Sequence, residues 1–246
     1  MRVGVFDSGV GGLTVVKSIL KANFFEEIIY YGDTARVPYG TKDKTTIISY
    51  SLDALEFFKN FEIDMFIVAC NTASAYALEE LQNNTDIPVI GVIESGVLAL
   101  EQSDLDDKSH IVVLGTRATI DSDLYAKHLR KVGFSNIDSI ATPLFVPLVE
   151  EGIKGSILDE SMKFYFSEIS KVDVVILGCT HFPLIEEEIS LFLNNCKTIH
   201  SGDAIVNLLQ KRYNLKAITK KTKISFFASS NPDGLKKVAK KWLELE

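Results

Sequence analysis

The chain has 246 residues, 46% hydrophobic and 24% charged, with a formal net charge of −7. That is enough length for two modest domains, each burying its own core, and a composition typical of a soluble globular protein, not a disordered one. The acidic balance is unfavourable for binding phosphate backbones, and the basic residues are scattered apart from Lys220-Lys221 and the 236–241 cluster, so no nucleic-acid partner is expected.

Short β-rich runs alternate with helical patterns along almost the whole length. In chain order, the spacing predicts a strand at 3–6, a helix at 13–20, a strand at 28–31, a helix at 45–60, a strand at 65–69, a helix at 74–81 and a strand at 89–92. A strand at 111–114, a helix at 124–132, strands at 137–141 and 174–177 separated by a helix at 158–170, and a helix at 184–193 follow. A strand at 223–227 and a helix at 232–243 end the pattern. Strands that are apolar at nearly every position belong inside a mostly parallel sheet covered by helices on both faces. The fold class is therefore α/β. No apolar run approaches the ~18 residues of a membrane-spanning helix, and the amino terminus enters a strand without a signal segment. Three cysteines are too few and odd in number for a disulfide framework. Reduced thiols and a cytoplasmic location, away from membranes, are expected.

An internal repeat appears on subtraction. Cys179 lies 109 residues after Cys70, Thr116 lies 109 after Asp7, and Val146-Pro147 lies 109 after Val37-Pro38. Three landmarks at one offset indicate two related halves, expected as two pseudosymmetric doubly wound domains; if the halves face each other the site lies in the cleft between them, the alternative being a tandem repeat with two separate sites. The expected division is 1–95 plus 206–246 for the first domain and 96–205 for the second, the last stretch returning as helix, strand and helix.

The twin cysteines carry the chemistry. Each sits where an apolar strand hands over to a helix, the end of an open α/β sheet at which ligands bind. A helix start favours thiolate, so a lowered pKa is expected for both Cys70 and Cys179. Two thiols in one cleft can take a proton from one face of a carbon and return it to the other. Asn71, Thr72, Thr180 and His181 follow the cysteines directly and can stabilise the charge that develops. His181 stands two residues from Cys179, able either to set that thiol's protonation or only to orient its loop. Zinc is not expected, since neither C-x₂-C nor H-x₃₋₅-H spacing occurs. Cys196, outside the repeat near a helix end, is expected to have no function.

The loop Asp7-Ser8-Gly9-Val10-Gly11-Gly12 follows a strand and opens a helix, with free amides suited to a carboxylate. It is neither a Walker loop nor a dinucleotide fingerprint. A phosphoryl-accepting Asp7 would need a second acid where Gly9 stands. Asp7 is better suited to partner an ammonium or assist a thiol. Asp33 to Gly40 offers backbone amides and the Tyr39 hydroxyl, and Thr116-Arg117-Ala118-Thr119 offers hydroxyls and a cation. Glu150, from the loop equivalent to Tyr39-Gly40, is a candidate acidic helper on the Cys179 side, whereas Glu151 is expected to face solvent.

The phrases Phe6-Asp7-Ser8-Gly9-Val10-Gly11-Gly12-Leu13-Thr14, Val37-Pro38-Tyr39-Gly40, Ala69-Cys70-Asn71-Thr72-Ala73-Ser74 and Leu177-Gly178-Cys179-Thr180-His181-Phe182-Pro183 resemble, in order and spacing, the glutamate racemases of the cofactor-independent aspartate/glutamate racemase family. The likeness covers essentially the whole chain. It implies interconversion of L- and D-glutamate without pyridoxal phosphate or metal, supplying D-glutamate for peptidoglycan. It also implies that Cys70 deprotonates D-glutamate and Cys179 L-glutamate, with Asp7 assisting the first thiol and Glu150 and His181 the second. Ser8, Tyr39, Gly40, Asn71, Thr72, Thr116, Thr119 and Thr180 would bind substrate, and a homodimer is expected. The residues alone leave aspartate open as the substrate, and a two-lobed amino-acid-binding protein without chemistry is the alternative from another class.

Overall fold

Apolar runs bounded by glycine, proline and aspartate become buried parallel strands, and the amphipathic stretches between them become the helices that cover the sheets. The computed structural model describes residues 1–244. The first half runs β1 (Arg2–Asp7), α1 (Leu13–Ala22), β2 (Glu27–Gly32), α2 (Lys44–Phe58), β3 (Met65–Val68), α3 (Asn71–Tyr76), α4 (Leu78–Asn83) and β4 (Val89–Gly91). Helix α5 (Val92–Glu101) leads to β5 (Ile111–Gly115), α6 (Arg117–Asp121), α7 (Leu124–Lys131), β6 (Ile137–Ala141), α8 (Phe145–Glu150), α9 (Ser156–Phe166), β7 (Val174–Gly178), α10 (Glu186–Phe192) and β8 (Lys197–His200). Helix α11 (Ser201–Tyr213), β9 (Lys223–Ala228) and α12 (Pro232–Leu243) complete the chain.

The strands form two wholly parallel sheets, ordered β4-β3-β1-β2-β9 and β6-β5-β7-β8. Read from its other edge, the second sheet is β8-β7-β5-β6, the order of the first without β9. The offset of 109 persists in three dimensions: it carries Arg2 and Met65, which open β1 and β3, onto Ile111 and Val174, which open β5 and β7. In each sheet the chain moves one way from its first strand to its second, then crosses back to place its third strand on the other side. The topological switch point thus lies between β1 and β3 in one sheet and between β5 and β7 in the other, where α/β proteins bind ligands.

Packing holds those strand ends rigid. Helix α1 buries Leu13, Val15, Val16 and Ile19 against the first sheet and stops at Asn23, whose left-handed backbone (φ 54°) returns its N–H to the carbonyls of Ile19 and Leu20. Helix α2 starts at Asp43, whose carboxylate accepts the Thr46 N–H at 3.0 Å. On the opposite face Phe6 is fully buried among the rings of Tyr31, Tyr39 and Phe66. Its truncation to Ala would cost about 3–5 kcal/mol, directly beneath Asp7.

Several elements differ from the sequence reading. The expected helix at 74–81 starts earlier, at Asn71, and is divided into α3 and α4 at Ala77. Strand β8 and helices α5, α6 and α8 carry no expectation: β8 is a polar edge of four residues, and α5 is too uniformly apolar to show a helical period. Pro147 lies inside α8, so the segment equivalent to Tyr39-Gly40 is helical; proline is tolerated because it falls in the first turn, where its missing N–H breaks no helical bond. Helices α5 and α11 connect the two sheets and pack on one another, and the expected divisions at 95/96 and 205/206 fall within them. The last two residues of the expected 206–246 segment lie outside the described residues.

Candidate active site

Cys70 and Cys179 leave equivalent strands, β3 and β7, and both line one cavity at the switch points, each only 5% exposed. Cys70 caps α3: its Sγ accepts the Ala73 N–H at 3.5 Å and donates to Ser8 Oγ at 3.6 Å. Cys179 Sγ lies 3.8 Å from His181 Nδ1, and His181 Nε2 is 2.9 Å from Glu150 Oε1. Glu150, at the end of α8, is thus linked to the thiol through the imidazole. Asp7 is wholly buried at the end of β1; its Oδ2 accepts the Gly9 N–H at 3.0 Å and its Oδ1 accepts the Thr180 hydroxyl at 3.2 Å. That last bond crosses from one domain to the other.

Burial pushes the Cys70 thiol up to about 12, and the Asp7 charge adds to the rise. The Ala73 amide works in the direction expected of a helix start, and so does Ser8, but neither outweighs desolvation. Contrary to the sequence expectation, Cys70 is thus a thiol in this site. Burial opposes a charged His181, yet hydrogen bonds to Cys179 and Glu150 and the charges of Cys179 and Asp7 carry it up to about 10. Burial likewise raises the Asp7 carboxyl, against the pull of His181, two loop amides and Thr180.

The far side of the cavity is neutral. The hydroxyls of Thr72, Thr116 and Thr119 form a triangle with Oγ1 separations of 2.9, 3.0 and 3.1 Å, joining α3 of the first domain to α6 of the second. Gly40 lies directly over this triangle, and a Cβ there would meet Thr116 Cβ at 2.5 Å. Asn71 is held at both ends: its Oδ1 accepts the Tyr125 hydroxyl at 2.7 Å and its Nδ2 donates to Ser201 Oγ at 3.3 Å. The cavity volume is about 30 Å³, room for one or two waters.

Residues 11–209 match the Asp/Glu/Hydantoin racemase family. The chain belongs to that family. It is 59% identical to a glutamate racemase of a Nitratiruptor species over 99% of this chain and 96% of that one. It superposes on the crystal structure of the Campylobacter jejuni glutamate racemase with a TM-score of 0.98 at 53% identity, covering 100% and 99% of the two chains. The Francisella tularensis glutamate racemase, solved in complex with D-glutamate, gives a TM-score of 0.87 at 36% identity, covering 100% and 94%. An aspartate racemase of Picrophilus torridus, 19% identical with a TM-score of 0.64 over 88% of this chain, shares the fold.

In this racemase, then, an isomerase of two α/β domains, the residues singled out by sequence converge on one cavity. Ser8, Tyr39, Gly40, Cys70, Asn71, Thr72, Thr116, Cys179, Thr180 and His181 line it; Asp7, Glu150 and Thr119 stand behind, each bonded to a lining residue. Two expectations need correction in detail. The Tyr39 hydroxyl is donated to Asp33 Oδ2 at 2.6 Å rather than left for a ligand, and Arg117 is exposed and does not line the cavity. Glu151 faces solvent as expected. Sequence reasoning passed over Gly11, Tyr125 and Ser201. Gly11 was legible only as part of a glycine-rich turn, and Tyr125 looks like any apolar position of α7. Among the described residues, no helix is long and apolar enough to cross a membrane, and no group of three or more His, Cys, Asp or Glu side chains is arranged to hold a metal ion.

Proposed function

We propose that this racemase interconverts L- and D-glutamate with its own side chains as the only proton carriers, supplying D-glutamate for peptidoglycan. The observation that carries the reading is the arrival of two thiols in one cavity from equivalent strands of two related domains, in a chain whose relatives at 53–59% identity are named glutamate racemases. Cys70, as thiolate, removes the Cα proton of D-glutamate, and the Cys179 thiol protonates the opposite face of the carbanion. With L-glutamate the two exchange roles. The substrate ammonium, entering beside Asp7 and Cys70, offsets the burial that raises the Cys70 thiol. Asp7 assists Cys70, and the His181–Glu150 pair assists Cys179 by holding a positive charge beside it. Ser8, Thr72, Thr116, Thr119 and Thr180 hold the substrate through hydroxyls, and Tyr39, Gly40 and Asn71 through backbone amides, donors that stabilise a developing anion without reorganisation. The enzyme works in the cytoplasm as a homodimer, with domains 1–95 plus 206–246 and 96–205 closing on the substrate.

Incubation with each enantiomer in D₂O tests the reading. Deuterium entering Cα together with loss of optical purity supports it, and tight binding without exchange refutes it in favour of a binding protein. A kcat/KM for aspartate equal to or above that for glutamate would move the assignment to aspartate.

A further inference from the structure

One buried side chain touches the neighbour of each thiol. Tyr125, on α7, is 3% exposed and takes no part in the proton transfers described above. Its hydroxyl donates to Asn71 Oδ1 at 2.7 Å, and Asn71 directly follows Cys70. Its ring is slotted between two glycines: a Cβ on Gly178 would lie 3.2 Å from Tyr125 Cε2, and one on Gly96 would lie 3.4 Å from Cε1. Gly178 directly precedes Cys179. The ring therefore bears on the end of β7 while the hydroxyl reaches across the cleft to the first residue of α3.

We propose that Tyr125 is a positioning residue that sets the separation and orientation of the two thiols, with Ser201 as its helper. Asn71 opens the helix whose Ala73 amide meets Cys70 Sγ, so holding the Asn71 amide fixes the turn that aims Cys70. Ser201, at the start of α11, accepts from Asn71 Nδ2 and anchors the amide's other end. The phenol stays protonated at any working pH, because burial raises it strongly and the neighbouring Cys179 charge raises it further. A neutral hydroxyl donor is what the Asn71 carbonyl requires. Without it that carbonyl is a buried acceptor with no partner, and it relaxes by turning, which carries Cys70 with it.

The inference rests on the two-thiol glutamate reading, and the experiment separates the two. Racemisation rates are measured with protonated and Cα-deuterated D- and L-glutamate for the parental enzyme, Tyr125→Phe and Ser201→Ala. A parental enzyme inert toward both enantiomers overturns the glutamate reading, and this proposal with it. With parental activity in hand, Tyr125→Phe lowers kcat/KM about 10- to 100-fold, the loss that follows from misplacing a reacting group by up to ~1 Å. The fall is equal in the two directions, because the equilibrium constant between enantiomers is fixed. The disturbed transfer is the one at Cys70. The deuterium effect on kcat/KM therefore rises for D-glutamate, which Cys70 deprotonates, and falls for L-glutamate, where Cys70 acts after the isotopic step. Parental rates, or a loss in which the two isotope effects stay unchanged or move together, overturn the proposal. Should the phenylalanine variant fail to fold, Ser201→Ala decides alone: it keeps the Tyr125 ring and must separate the two isotope effects in the same sense.

Discussion

Gly11 tests how closely the two domains must meet. Its φ lies outside the left-handed region, so alanine there suffers no backbone strain. What alanine meets is the other domain: its Cβ would lie 2.3 Å from Thr180 Oγ1 and 2.6 Å from His181 Nδ1 and Cε1. Ordinary contact begins at 3.4 Å, so the overlap is about 1 Å. Neither neighbour can yield freely, since Thr180 is tied to Asp7 and His181 to Glu150 and Cys179. The relief must come from moving the Cys179 loop away from the first domain, widening the gap between the thiols. A displacement of that size costs on the order of 10²-fold in rate. The assay is polarimetric or circular-dichroism racemisation of each glutamate enantiomer at saturation, with Tm measured alongside. Gly133→Ala is the converse control: φ is +107° and no heavy atom lies within 4 Å of the new Cβ. That change costs about 1–2 kcal/mol of backbone strain, lowers Tm, and leaves kcat at the parental value. A Gly11→Ala enzyme with parental kcat would refute the argument that racemisation requires this closed contact.

Changing Cys70 or Cys179 singly to Ala abolishes racemisation in both directions while far-ultraviolet circular dichroism stays parental, and parental turnover by Cys179→Ala would end the two-thiol proposal. Cys196→Ala leaves turnover intact and costs about 1 kcal/mol of stability, read from denaturant titration. His181 is held at about 10, above its ordinary value of 6.5. The stabilisation from keeping it protonated is therefore complete below about pH 6.5 and lost as pH rises through about 10. Glu150→Gln removes one of the groups that holds that proton, so the Tm deficit of the variant is greatest near pH 6.5 and narrows toward pH 10. A deficit that stays constant or widens over that range would contradict the pairing.

The strands that bury both faces were legible because an uninterrupted apolar run of four to six residues has few other solutions. The repeat was legible because three landmarks kept one offset. Strand β8, with Lys197 and His200 at its ends, is a strand only because β7 lies beside it; nothing in its own pattern requires one. The candidate site was read largely from residues that follow strand ends, and the structure gathers them. What the sequence leaves hidden is which side chains the fold sets against one another. The Tyr39 hydroxyl is taken by Asp33, and the Asn71 amide is taken by Tyr125 and Ser201. Burial reverses the pKa shift that the helix start favours at Cys70, and the Asp7 charge, close in space, adds to the rise.

The repeat also explains how a pseudosymmetric cleft can orient an asymmetric substrate. Under the offset of 109, Asp7 corresponds to Thr116 and His181 to Thr72. Both pairs face each other across the domains: Asp7 and His181 through their opposite charges, Thr116 and Thr72 through a 2.9 Å hydroxyl contact. The backbone scaffold is thus duplicated while its side chains diverge into a charged corner and a neutral one. In the proposed mechanism the thiols keep their equivalence because proton transfer to either face needs the same group in the same place. The corners lose theirs because only one end of an amino acid carries an ammonium. In the proposed orientation a substrate entering with its ammonium toward Asp7 would place its side-chain carboxylate toward the threonine triangle, where hydroxyls can donate to it without a competing fixed negative charge. Replacing Thr72 with Asp would place a carboxylate in that corner, and the expected outcome is a rise in the KM for glutamate in both directions that exceeds the fall in kcat. Unchanged KM values would show that the carboxylate is held elsewhere.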